Sequence, residues 1–149
     1  MSNKVKFIVW LSILALAATG LLAQVIPVKL CCIAGNYRGS HINDQLPNCP
    51  PAQSETFSMT VKQGIGCTAN VWGTILSPSG EIQNFMGTLT RGPRGCCVLT
   101  ARFGTRPHVT TFTGTFCLRG GKWQATGTYS ETGSSDPCKQ SGTWGMKQI

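Results

Sequence analysis

Two histidines and five carboxylates are the whole stock of side chains that could move protons or hold a hard metal near neutral pH. General acid–base work needs a base held within reach of the reacting proton and a second group that orients it. His41 reads as part of a polar loop, and His108 stands at a strand start after Arg106-Pro107, so each reads as a solvated or internally satisfied histidine. Asp44, Glu55, Glu81, Glu131 and Asp136 show no paired spacing on one strand. No Gly-x-Ser-x-Gly, phosphate-cradling loop or His-Glu-x-x-His occurs. The expectation is a protein that is not an enzyme and takes neither a metal nor a cofactor.

The eight cysteines, Cys31, Cys32, Cys49, Cys67, Cys96, Cys97, Cys117 and Cys138, are the remaining chemistry. No Cys-x-x-Cys is present and neither histidine lies at zinc-finger spacing from a cysteine pair, so disulfides are expected rather than zinc. Disulfides imply an oxidising compartment. The N-terminus agrees: Lys4 and Lys6 precede an uncharged run from Phe7, and Thr19-Gly20-Leu21-Leu22-Ala23 resembles a cleavage region. The reading is a signal peptide over 1–23, a lead over 24–32 and one domain over 33–149, secreted or periplasmic. The alternative is an uncleaved anchor, since Phe7 to Val28 carries no charge and is long enough to span. Lys29-Leu30 directly before Cys31 argues against a lipoprotein signal.

The elements that position these groups follow from a repeat. Gly-Thr plus an apolar residue recurs at Gly73, Gly87, Gly114, Gly127 and Gly142, with Ala101 in the missing place, about every fourteen residues. That is one strand and one short turn, repeated as an antiparallel meander. Segments Ile33 to Gly39 and Thr56 to Lys62 precede it, giving eight strands. Along each, apolar residues alternate with Thr, Ser, Gln, Lys and Arg, so one face is dry and the other wet. With no helix to cover the dry face, the sheet must close on itself. The predicted fold is all-β, an eight-stranded antiparallel up-and-down barrel stapled by disulfides. One hairpin fixes its own register: Gly120-Gly121 suits a two-residue turn with positive φ, which sets Gly114 opposite Gly127 and Phe112 opposite Tyr129.

The opening Gly35-Asn36-Tyr37-Arg38-Gly39, the repeated Gly-Thr-aromatic strands and the closing Ser141-Gly142-Thr143-Trp144 resemble small exported barrels of the avidin and lipocalin (calycin) type. The resemblance implies an up-and-down barrel with a ligand mouth; it carries over no ligand-binding positions. Bacterial inhibitors of secreted metalloproteases look similar at this level, so a protease inhibitor or a structural envelope protein is the alternative function. A membrane-inserted barrel would show the same alternation turned inside out.

Four expectations about sites follow. Closure makes the first and last strands neighbours and puts Cys49 and Cys138 at one end, which predicts their disulfide; Cys96 with Cys117, on the outer face of adjacent strands, is a second pair. If the small residues at one level leave room, the cavity walls are Phe85, Leu99, Phe103, Phe112, Phe116, Trp123, Tyr129 and Trp144, suited to a small apolar or aromatic ligand with no buried charge to grip a polar one. Parity puts Trp72, Leu76, Ile82 and Met86 outside as an apolar patch for a partner or a second copy. Finally, Lys29, Lys62, Arg91, Arg94, Arg119, Lys122 and Lys147 sort to one end and all five acids to the other. Arg91, Arg94, Arg119 and Lys122 form a basic rim able to meet lipid headgroups, acidic polysaccharide or an acidic partner, with no motif for specific nucleic-acid binding.

Overall fold

The computed structural model describes residues 31–149. The expected signal peptide, its cleavage site, the anchor alternative and Lys29 lie outside the described residues. Eight strands follow in order: β1 (Gly35–Asn43), β2 (Ser54–Gln63), β3 (Asn70–Leu76), β4 (Ile82–Arg91), β5 (Cys97–Thr105), β6 (His108–Arg119), β7 (Lys122–Thr132) and β8 (Ser141–Gln148). Each is antiparallel to its sequence neighbour, and β8 pairs with β1 to close the barrel. The expected meander is therefore the observed fold.

Turn chemistry and parity account for the register. Gly120 and Gly121 both take positive φ, and the hairpin pairs Arg119 with Lys122, Gly114 with Gly127 and Phe112 with Tyr129. The β3–β4 turn closes with Ser77 N–H donating to Glu81 O at 2.9 Å, which puts Trp72 opposite Met86 and Leu76 opposite Ile82. Inward positions carry the core, among them Met59, Val61, Val71, Phe85, Leu99, Phe116 and Trp123, all buried. Outward positions are rich in exposed threonine. Apolar inside and polar outside is the reverse of a barrel facing lipid, and among the described residues no helix is long and apolar enough to cross a membrane.

Two expectations about β1 need correcting. The strand was expected over Ile33 to Gly39 with His41 in a loop; it runs instead from Gly35 to Asn43, and His41 is paired on both sides, with Glu55 and Trp144. A strand whose inward residues turn polar looks like a loop until closure supplies its second neighbour. Ile33 lies outside the strand and is fully buried, together with Tyr37. Residues 31–34 fold across the end of the barrel: Tyr37 O–H donates to Ile33 O, Gln63 Nε2 donates to Cys31 O at 2.8 Å, and Ile33 N–H donates to Gln63 Oε1 at 2.7 Å.

All eight cysteines are bridged: Cys31–Cys97, Cys32–Cys67, Cys49–Cys138 and Cys96–Cys117. Both expected pairs are present. The other two fasten Cys31 and Cys32 to the sealed end of the barrel. Four disulfides in one small domain indicate an oxidising environment.

An open cup with a polar collar

The meander puts the β1–β2, β3–β4, β5–β6 and β7–β8 connections at one end of the barrel and residues 31–34, the other turns and the C-terminus at the opposite end. The second end is sealed by Ile33, Tyr37, Phe116 and the Cys31–Cys97 bridge. At the first end the barrel is open, and a cavity of about 740 Å³ descends into it.

Glycine decides where that cavity stops. The Trp144 ring lies against Gly114 and Gly127, where any added methyl group would overlap it, and its Nε1–H donates to Thr128 O at 3.0 Å. The glycine level is thus filled by an indole and forms the floor of the cup. Phe112 stands edge-on to both Trp144 and Phe85, with ring centroids 6.1 and 5.6 Å away. Phe57, Met59, Ile75, Phe103, Phe112, Tyr129 and Met146 make the wall.

Of the eight residues expected to wall a cavity, Phe103, Phe112, Tyr129 and Trp144 do so. Phe85, Leu99, Phe116 and Trp123 are packed in the buried core and do not line it. Period-two parity assigns a side chain to the inside but says nothing of its height on the barrel axis, and these four belong to the floor or to the filled half below it.

Above the aromatic wall sits a polar collar that the sequence reading overlooked. His41 and Asn43 from β1, Glu55 from β2, Gln83 from β4, His108 from β6 and Glu131 from β7 all line the cup. His41 Nε2 lies 3.7 Å from Glu55 Oε2, and His108 Nδ1 lies 4.0 Å from Glu131 Oε1. Tyr129 O–H donates to Asn43 Oδ1. Gln83 Nε2 donates to Glu81 Oε1 at 2.7 Å, while Gln83 Oε1 and His41 Nδ1 have no partner among the described residues. The signal was available: Glu55 shares its parity with Phe57 and Met59, and Glu131 with Tyr129. Among the described residues no charged side chain is buried; the collar carboxylates stand at the mouth, where strand ends rise out of the core and carboxylates stay wet.

The carboxylates leave a mark on the wall. Burial, and after it the charges of Asp44, Glu55 and Glu131, push the Tyr129 phenol up to about 12. Burial alone raises the Tyr37 phenol.

The other expected sites fall where parity and topology placed them. Trp72, Leu76, Ile82 and Met86 are exposed on the outer face, Met86 to 74%. Arg91, Arg119 and Lys122 stand at the sealed end with Lys62 and Lys147, and Arg94 lies in a one-turn 3-10 segment there with φ 56°. The five acids belong to the open end, Asp44 bonded to Ser141 Oγ and Asp136 capping the turn at Pro137–Lys139. No protein-family model, curated protein or solved structure matches this chain.

Proposed function

We propose that this is an exported binding protein that holds a small apolar or aromatic ligand in the cup, in the manner of avidin- and lipocalin-type barrels, and that it binds rather than catalyses. The observation that carries the reading is a barrel sealed at one end and open at the other, with its open half lined by Phe57, Phe103, Phe112, Tyr129 and Trp144. A rigid closed sheet, stapled four times, presents that surface without having to order it on binding. Export is supported by the disulfides and by the charge and apolar pattern of residues 1–23.

The test is titration with a neutral apolar fluorophore such as N-phenylnaphthylamine, followed through tryptophan quenching. Saturable one-site binding is expected. A Thr110→Trp variant places bulk in the cup above the floor, since Thr110 is half-buried and lines it, and should lose binding while its melting temperature is kept. Absence of saturable binding by the parent, or unchanged binding by the variant, would reject the cup as the site.

The sealed end is assigned a second contact. Lys62, Arg91, Arg94, Arg119, Lys122 and Lys147 form no ion pair among the described residues, so an anionic surface is the partner this face suits. Arg91 and Arg94 flank a stiff Gly-Pro turn, and guanidinium groups bind phosphate or carboxylate two-pronged.

A further inference from the structure

We propose that the ligand of the cup carries a cationic amine above its apolar body, with the ammonium held between Glu55 and Glu131 and the body lying against the aromatic wall. This rests on the reading of the cup as a ligand site and names the chemical class that fits it. Strand parity carries the first step. The collar positions that point inward from strands supply two carboxylates, two imidazoles and two amides; the cations near the mouth, Arg106 and Lys139, come from the β5–β6 turn and the 3-10 turn before β8. Carboxylates are scarce in this chain, five against thirteen Lys and Arg, and yet all five gather at the open end. A solubilising charge would have no cause to be sorted this way.

Acceptor capacity carries the second step. Gln83 and His41 both line the cup; Gln83 uses its amide N–H on Glu81, and its oxygen and His41 Nδ1, both buried, have no partner among the described residues. As carboxylates, Glu55 and Glu131 accept hydrogen bonds and donate none. A group with several N–H donors and a positive charge satisfies such a collar; a carboxylate or phosphate would face it with like charge. Below the collar, the Tyr129 face and the Trp144 indole offer the quadrupole that attracts a cation, and the Tyr129 phenol is raised first by burial and then by the charges of Asp44, Glu55 and Glu131.

The test compares three probes of one shape by calorimetry: naphthylethylammonium, naphthylethanol and naphthylacetate, each with the parent and with a Glu55→Gln/Glu131→Gln variant. The ammonium should bind at least about tenfold more tightly than the alcohol, as expected for a charge-assisted contact, and the acetate more weakly than either. In the double variant the ammonium should lose its preference over the alcohol, while continued saturable binding of the alcohol and an unchanged melting temperature report an intact cup. Equal binding of ammonium and alcohol, a preference that survives the double variant, or tightest binding of the acetate would each overturn the amine assignment while leaving the apolar cup standing. If none of the three binds, the cup itself is not a ligand site and both readings fall.

Discussion

Replacing Cys49 and Cys138 together by Ala opens the bridge between the loops that flank the β8–β1 seam at the mouth of the cup. The two cysteines are 89 residues apart, which in the chain-entropy picture corresponds to about 4.6 kcal/mol. The other three bridges shorten the loop that matters. Cys31 adjoins Cys32 and Cys96 adjoins Cys97, so the chain can be followed from Cys49 to Cys67, across to the lead, across again to Cys97, and out from Cys117 to Cys138. That path is roughly 40 residues, and the expected loss drops to about 3.9 kcal/mol. Urea unfolding of parent and double variant measures it, and hydrogen exchange locates it: amides of Ser40–Asn43 and Gly142–Gly145, paired across the seam, should lose protection before those of the β6–β7 hairpin. A stability loss below about 1 kcal/mol, or protection lost evenly around the barrel, would refute both the loop estimate and the idea that this bridge holds the seam.

Gly114→Ala should cost about 1–3 kcal/mol, because its methyl group overlaps the Trp144 ring, and tryptophan emission should shift as the floor of the cup is displaced. Phenolate absorbance should show Tyr129 titrating near pH 12, and Glu131→Gln should move that midpoint down toward the ordinary tyrosine value. Since the folded phenol is raised above its unfolded value of 10, its contribution to stability is complete below pH 10 and lost as pH rises toward 12. Replacing Arg91, Arg94 and Arg119 by Ser should markedly reduce retention on heparin or on anionic vesicles and flatten its salt dependence; retention equal to the parent would make the basic end a solvated surface. For the outer patch, gel filtration of the parent beside Trp72→Ser tests self-association, with an unchanged monomer volume counting against it.

Much of this molecule is legible without coordinates, for a definite reason. Strand alternation has a period of two, so each residue is assigned in or out by its neighbours alone, and Gly120-Gly121 admits one tight turn that then sets a whole hairpin. Once eight strands of similar length follow one another with short turns, closure and the Cys49–Cys138 and Cys96–Cys117 pairs follow from which ends and faces coincide. Height along the barrel axis is different, because no local pattern encodes it. Whether the glycine level is empty depended on the Trp144 ring crossing from β8 to lie on Gly114 and Gly127, a contact between residues far apart in sequence. The sealed end depended on Ile33 and Tyr37 plugging the barrel beside Cys31 and Cys32, which two disulfides and Gln63 hold in place. The collar depended on β1 running on to Asn43, where the side chains are polar and only the second neighbour, β8, keeps the backbone in a strand. Parity thus determined what faces inward. Which half of the interior is filled, and what stands around the opening of the other half, was decided only by side chains that meet after the sheet has closed.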